Sequence, residues 1–371
     1  MKNIFIPKKQ EYLQQLIHQT GVLVNNLRWK AEMYLRPLPA GIKKEKYGFR
    51  SLENAKPVPE MQIFEEKLCD LTRKIEFREV SNTFQNQLNV DIRNIQNEPK
   101  LFVPADKTTN FYKVNTDTYE ALVRKEINKE YVKAKSTSTN EIIKEAQNIA
   151  RKLELDDRIF STSKLEAFTT LKDHKPNFKN KPTTRLINPT KPELGKVSKQ
   201  LLSEVIKVVR EKSGVNQWKN TYELLNFFNN LPSKEKSYFI KFDICAFYPA
   251  ISEELLSKSI EHAAKYVDIS DDQKEILFHT SKSLLYHKDQ AWVKKGRTLF
   301  DVGMGAYDGA EKCDLVGLYL IYLLRNLPIT PGLYRDDGLA VSSLSPKETE
   351  KGKNQICQMF KLLISLMLNL I

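Results

Sequence analysis

Two short segments of this chain place carboxylates beside apolar strands. Asp243 follows the run 238–242, and Asp336 and Asp337 lie within Leu333-Tyr-Arg-Asp-Asp-Gly338. Nucleotidyl transfer can use two divalent cations about 4 Å apart, one activating the attacking hydroxyl and one stabilising the leaving oxygen. Carboxylates carried on rigid strands are suitable ligands for such cations. The two segments therefore predict a two-metal site, if the fold brings these distant strands together.

Each segment also has a simpler interpretation. Asp243 would then be a residue that ends a strand, and Asp336-Asp-Gly338 would be a solvated turn, because Asp-Gly between apolar stretches is a strong hairpin signal. Adjacent carboxylates repel each other, however, and a bound cation would relieve that repulsion. The presence of both segments, with a glycine-rich turn and a long helix between them, favours the catalytic interpretation.

Tyr248 lies five positions after Asp243. At that distance from a metal ligand, an aromatic ring would lie beneath the sugar of an incoming nucleotide and collide with a 2′-hydroxyl. Tyr248 is therefore predicted to select deoxynucleotides. The alternative is a tyrosine that only packs in the core.

The surrounding pattern predicts a chain of mixed helices and strands. Residues 1–95 have apolar residues near helical spacing, with a proline-containing break at 37–59. The pattern further predicts a strand-turn-strand unit at 101–114. Helices are predicted at 118–131, 252–267, 272–286 and 310–327. A hairpin is predicted at 332–343, with Asp336-Asp-Gly338 at its tip.

The composition is that of a large basic protein. The 371 residues are 41% apolar, enough for two or three units with a core, and 59 Lys plus Arg against 46 Asp plus Glu give a formal net charge of +13. The basic excess is concentrated in 164–199, with nine basic and three acidic residues. This charge favours a polyanionic partner, although a solvated basic surface would explain it as well.

The cysteines and the apolar runs indicate the cellular compartment of the protein. The four cysteines have neither a disulfide-like nor a metal-ligand spacing, which indicates a reducing compartment. The longest apolar run, 315–324, is too short to cross a bilayer, so no membrane partner is predicted. We expect an intracellular protein and leave nucleus and cytoplasm open.

Ordered blocks of residues resemble a known family. Phe-Asp-x-x-x-x-Tyr-Pro-x-Ile at 242–251 resembles the first catalytic motif of reverse transcriptases, and Tyr-Arg-Asp-Asp at 334–337 resembles their Tyr-x-Asp-Asp box. Ala105-Asp-Lys107 leading to Tyr119, and Leu-Lys-Asp-His-Lys-Pro at 171–176 leading to Thr-Arg-Leu-Ile at 184–187, are similar to blocks of Penelope-like elements. The similarity spans about 100–342, and the ordered set is far more specific than the Tyr-x-Asp-Asp box alone.

The resemblance implies metal ligands. Asp243 and Asp336 would bind two Mg²⁺ ions, with Mn²⁺ as an alternative, and the Ile244 carbonyl would add a ligand. Asp337 would support the site as a third catalytic carboxylate.

The resemblance also implies nucleotide contacts. Tyr248 would be the sugar gate, and Lys172 and Arg185 would grip the triphosphate, with Lys175 as a neighbouring alternative to Lys172. Gly305, in the block 304–311, would lie under the template base and nucleotide. This block departs from the usual Pro-Gln-Gly pattern and contains the extra acids Asp308 and Glu311.

The implied fold is α+β, the right-hand polymerase fold, with an antiparallel palm sheet packed on helices. Residues 1–99 would form a helical N-terminal extension, 100–235 the fingers and 236–371 an incomplete palm, so that a reverse transcriptase domain covers about 100–371. A thumb would be missing, because only about thirty residues follow the hairpin. The chain is therefore expected to be truncated, and its apolar tail, 360–371, to be exposed.

The implied function is RNA-directed DNA polymerisation by a retroelement, with an RNA template, a DNA primer and dNTPs as partners and no protein partner specified. An RNA-directed RNA polymerase is the alternative enzyme, which Tyr248 disfavours. The alternative that is not an enzyme is an inactive RNA-binding relic of a retroelement. The missing thumb favours the relic, whereas the retained Asp243, Asp336 and Asp337 count against it.

Overall fold

A computed structural model describes most of the chain. The described residues are 12–35, 45–46, 49–50, 55–77, 83–135, 137–156, 159, 165–190, 192–232, 234–244, 246–296, 299–364 and 368–370. They fall into two compact units, Met1–Pro99 and Lys100–Ile371.

The first unit is mostly helical, as predicted. Its elements are α1 (Tyr12–Leu35), β1 (Glu45–Lys46), β2 (Phe49–Arg50), a 3₁₀ turn (Pro59–Met61), α2 (Gln62–Lys74) and α3 (Thr83–Gln96). Helices α1 and α2 pack together and are joined by Arg28, whose Nε donates to Glu65 Oε1 at 2.6 Å. A second guanidinium nitrogen donates to the other carboxylate oxygen, which makes the pair bidentate.

The second unit contains the segments whose residues were predicted to take part in catalysis. Its first half comprises β3 (Lys100–Pro104), β4 (Phe111–Asn115), α4 (Thr116–Glu130), β5 (Tyr131–Lys133), α5 (Ser138–Lys152), β6 (Phe168–Leu171), β7 (Thr184–Ile187), α6 (Leu194–Ser213), β8 (Asn216–Gln217) and α7 (Thr221–Asn229). After a 3₁₀ turn (Lys234–Lys236) follow β9 (Tyr238–Ile244), α8 (Phe247–Ala250), α9 (Glu253–Ala263), α10 (Asp271–His279), β10 (Leu285–His287), β11 (Gln290–Lys294), α11 (Gly309–Leu324), β12 (Thr330–Tyr334), β13 (Asp337–Ser342), α12 (Pro346–Ile364) and β14 (Leu368–Leu370).

A five-stranded sheet holds the predicted catalytic segments. Its strand order is β14-β9-β13-β12-β8, and all pairs are antiparallel except that β8 runs parallel to β12. Helix α11 packs between α6 and α9 and forms the main core with the sheet. Strand β9 shows the alternation that such packing requires, because Ile240, Phe242 and Ile244 are buried and the residues between them are not.

Smaller sheets lie upstream in the chain. Hairpins β3-β4 and β6-β7 are joined by a parallel bridge between Ala105 and Leu171. Strand β5 pairs with β11, which pairs with β10, so a separate three-stranded sheet links distant parts of the chain.

Several helix boundaries follow local signals. The Ser252 hydroxyl accepts from the Leu255 amide and begins α9, as predicted from its sequence position. Ser270 and Gln273 form a capping box that begins α10. The prediction that this helix reaches residue 286 is wrong, because α10 ends at His279 and Tyr286 lies in the buried strand β10.

The predicted position of the hairpin turn also needs correction. The hairpin exists, but its turn residues are Arg335 and Asp336, and Gly338 lies within β13 opposite Phe242. A Cβ at Gly338 would lie 2.0 Å from that ring, so this glycine provides space for packing rather than a turn. In the tail, the backbone of Leu368–Leu370 pairs with β9, and the predicted exposure of the apolar side chains at 360–371 lies outside what the structure describes.

No helix within the described ranges is long and apolar enough to cross a membrane.

Candidate active site

The sheet register brings the three predicted catalytic carboxylates together. Asp243 at the end of β9 lies directly opposite Asp337, the first residue of β13. The Ile244 amide donates to the Asp336 carbonyl at 2.9 Å, which ties the end of β9 to the hairpin turn. Arg335, the first turn residue, has a φ of 57°, as tight two-residue hairpins require.

Electrostatic repulsion is concentrated at Asp243. Its pKa is raised, first by burial of the carboxyl group and then by the negative charges of Asp336 and Asp337. The ammonium groups of Lys107 and Lys241 partly offset this effect. The cluster therefore has an excess of negative charge, which a divalent cation would neutralise.

The donor set suits an open metal site better than a closed one. Across the described part of the chain, no group of three or more His, Cys, Asp or Glu side chains is arranged to enclose a metal ion. Asp336 and Asp337 are exposed, and Asp243 is half-buried. These carboxylates fit cations that take their remaining oxygen ligands from a substrate. The ligand role of the Ile244 carbonyl stays a prediction.

Tyr248 lies between the hairpin turn and the glycine-rich block. Its ring packs on Gly309, where an added Cβ would be in van der Waals contact, 3.4 Å from Cε1 of the tyrosine. Burial raises the pKa of Tyr248 to about 12, and the nearby guanidinium of Arg335 partly offsets this effect. Arg335 is itself held by Asp314, with 3.9 Å between Nε and Oδ1. Sequence reasoning missed this support, although a charged residue inside the Tyr-x-Asp-Asp box was a visible signal.

Gly305 has a structural role in addition to the predicted one. Its φ is +112°, and a Cβ would lie 2.5 Å from the carbonyl oxygen of Asn188, just beyond β7. The Asn188 amide donates to the Met304 carbonyl at 3.2 Å, so the block is fastened to the end of β7. Close approach of backbone to backbone thus explains this glycine, and its nucleotide contact stays a prediction.

The extra acids of the glycine-rich block have structural partners. Asp308 is buried and its Oδ2 lies 2.8 Å from the Nζ of buried Lys312. The hydroxyls of Ser198 and Thr280 donate to the same carboxylate oxygen. Glu311 pairs at 3.5 Å with the Nζ of Lys199. The buried pair anchors the start of α11 behind Tyr248.

Lys172 and Arg185 form a second group, on the β6-β7 hairpin. Arg185 lies opposite Thr170, and the Lys172 amide donates to the Thr183 carbonyl at 2.9 Å. The pKa of Lys172 is lowered, mainly by burial and then by the charge of Arg185. The Arg185 Nη1 lies 3.0 Å from Oδ1 of Asp106, which neutralises part of this positive charge.

The chain shares its fold with solved telomerase structures. It aligns with apo telomerase from Candida tropicalis truncated from its C-terminal domain over 99% of this chain and 86% of that chain, with a TM-score of 0.53 and 12% identity. For apo telomerase from the same organism the coverages are 99% and 74%, with a TM-score of 0.54 and 12% identity. For telomerase from the same organism in complex with the TWJ fragment of telomeric RNA, the alignment covers 100% of this chain and 69% of that chain, with a TM-score of 0.51 and 12% identity.

At this level of identity the likeness concerns the fold alone, and it confirms a mixed α/β fold of the polymerase type. No family model matches the chain, and a search of curated proteins gave no significant match.

Proposed function

We propose that this chain carries a two-metal polymerase site that copies an RNA template into DNA. The observation that carries the proposal is the β9-β13 register, which sets Asp243 opposite Asp337 and beside Asp336. The polymerase-type fold and the basic charge of the chain support it.

Each proposed role follows from the chemistry of the residue. Asp243 and Asp336 would hold two Mg²⁺ ions, which activate the primer 3′-hydroxyl and stabilise the leaving pyrophosphate. Lys172 and Arg185 would orient the triphosphate, since a point charge and a planar fork both suit phosphate oxygens.

Tyr248 would exclude the 2′-hydroxyl of a ribonucleotide. Its ring packs against Gly309 and its hydroxyl lies beside the Arg335 guanidinium, which favours one orientation of the side chain. This arrangement favours DNA synthesis over RNA synthesis. The resemblance of the five ordered blocks further supports a Penelope-like retroelement as the origin of the chain, which the nucleotide sequence flanking the reading frame would test.

The test is primer extension by the full chain with an RNA template, a DNA primer, dNTPs and Mg²⁺. Asp336→Asn is expected to abolish extension, because it removes a proposed metal ligand. Asp271→Asn is the matched control, because it removes the same charge from an exposed position at the start of α10. Extension that survives Asp336→Asn would refute the site assignment.

The other outcomes separate the alternatives. Extension with ribonucleotides alone would indicate an RNA-directed RNA polymerase. Binding of the RNA template without any extension would indicate a non-catalytic RNA-binding protein.

A further inference from the structure

Lys107 is an exposed cation in the loop that joins β3 to β4. Its ammonium group has no ion pair or hydrogen bond within the described residues of the chain. Exposed lysines are common and usually only solvated, so exposure alone carries no functional meaning. What distinguishes Lys107 is the way its loop is held and its position directly after Asp106, the partner of Arg185.

The 105–110 loop is fastened to the β6-β7 hairpin on one side. The Asp106 amide donates to the Leu171 carbonyl at 2.8 Å, and Ala105 forms a parallel bridge with the same residue. The Asp106 carboxylate is the partner of Arg185. The residue before Lys107 is therefore fixed by both its backbone and its side chain.

The other side of the loop is held by Asp173. Its Oδ2 accepts hydrogen bonds from the Thr108 hydroxyl at 2.6 Å, the Asn110 side-chain amide at 3.0 Å and the Tyr112 hydroxyl at 3.0 Å. Three donors on one carboxylate oxygen make a rigid support, and they lower the pKa of Asp173. Lys107 thus lies on a loop that is braced immediately before and immediately after it.

Lys107 lies beside the residues proposed to grip the triphosphate. It directly follows Asp106, whose Oδ1 lies 3.0 Å from Nη1 of Arg185 and whose amide donates to the carbonyl of Leu171, the neighbour of Lys172. Lys172 is half-buried, and Arg185 is already paired with Asp106. Among the three cations, Lys107 is the exposed one whose charge is not neutralised by an ion pair.

We propose that Lys107 binds the polyphosphate of the incoming nucleoside triphosphate, and that Asp173 is the positioning residue that holds its loop. The proposal rests on the proposed function and extends it to a segment with no assigned role. A triphosphate held between the carboxylates and the β6-β7 hairpin would lie within reach of this ammonium. Lysine suits the task as a mobile point charge with three donors.

The first test is steady-state extension by the full chain. Lys107→Met is expected to raise KM for dTTP about tenfold, as for the loss of one charge-assisted phosphate contact, while the Kd for the template–primer changes less than twofold. Lys107→Arg should restore most of the affinity. Lys100→Met, on an exposed lysine at the far end of the same hairpin, is the matched control. An unchanged KM, or an equal loss in template–primer Kd, would overturn the assignment.

A double-variant comparison tests Asp173. If Asp173 acts through Lys107, Asp173→Leu should raise KM for dTTP, and combining it with Lys107→Met should add no further loss. Independent, multiplying effects would show that Asp173 supports the fold in general and would refute its positioning role.

A labelling experiment separates failure of this inference from failure of the proposed function. Pyridoxal 5′-phosphate forms an imine with accessible lysines near phosphate sites, and borohydride reduction followed by mass spectrometry locates them. We expect dTTP with Mg²⁺ to protect Lys107 and not Lys100, also in the Asp336→Asn variant. Protection without extension in the wild type would sustain the phosphate site and contradict the polymerase. Extension by the wild type without protection of Lys107 would support the polymerase and contradict the phosphate site at Lys107.

Discussion

Lys312 and Asp308 form an ion pair that is enclosed by protein. Both side chains are 1% exposed, and 2.8 Å separates Nζ from Oδ2. Lys312→Met keeps the apolar stem and leaves the carboxylate buried without its counter-ion. Breaking one partner of a buried pair typically costs about 3–5 kcal/mol. We expect the lower end, about 3 kcal/mol, because the Ser198 and Thr280 hydroxyls still donate to Asp308.

The assay is urea unfolding followed by tryptophan fluorescence. Trp29 lies in the first unit, so a Trp29→Phe background leaves Trp218 and Trp292 as reporters of the second unit alone. Lys199→Met breaks the partly exposed pair with Glu311 and should cost less than about 1 kcal/mol. Asp308→Asn combined with Lys312→Met should recover most of the loss, because no charge is then buried.

Two results would refute this reasoning. A cost below about 1 kcal/mol for Lys312→Met would mean that the buried carboxylate does not need its counter-ion. A double variant as unstable as the single one would mean that lost packing, and not an unpaired charge, causes the destabilisation.

Three further predictions use the same preparations. Gly338→Ala should cost at least about 2 kcal/mol in the urea assay, because its Cβ would lie 2.0 Å from the Phe242 ring; a smaller cost would show that the ring can shift. His262 is buried with a pKa lowered to about 4, so the unfolded chain binds a proton first, and stability should fall by about 2 kcal/mol as the pH drops from about 6.5 to 4; His262→Phe should remove that part of the pH dependence, and an unchanged profile would contradict it. Arg335→Met should lower the preference for dTTP over rUTP about fivefold by removing the guanidinium beside the Tyr248 hydroxyl, and Tyr248→Phe should then add nothing.

The local sequence predicted the two halves of the site but misplaced the turn between the hairpin strands. Asp-Gly normally marks a turn, yet here the turn moves to Arg335 and Asp336. The reason is a cross-strand contact, since Gly338 leaves room for the Phe242 ring on β9. A local rule was overridden by packing against a strand almost a hundred positions away, which no single segment reveals.

Other misses have the same origin. Tyr286 was predicted in a helix but lies in a strand, because β10 pairs with β11 and β11 pairs with the distant strand β5. Lysines are rarely buried, and only the tertiary structure shows that Lys312 is buried in a pair with Asp308. The bracing of Lys107 by Asp106 and Asp173 likewise depends on contacts between separate hairpins.

The local pattern does determine the face of the sheet on which the Asp243 carboxylate emerges. In β9 the buried residues Ile240, Phe242 and Ile244 alternate with exposed or half-buried ones, so Asp243 must point away from the core. A shift of the β9 register by one residue would bury the Asp243 carboxylate and expose the Phe242 ring, both of which would destabilise the fold. Because Gly338 accepts the Phe242 ring, Asp337 is brought opposite Asp243. The carboxylate cluster is therefore a consequence of how the apolar face packs.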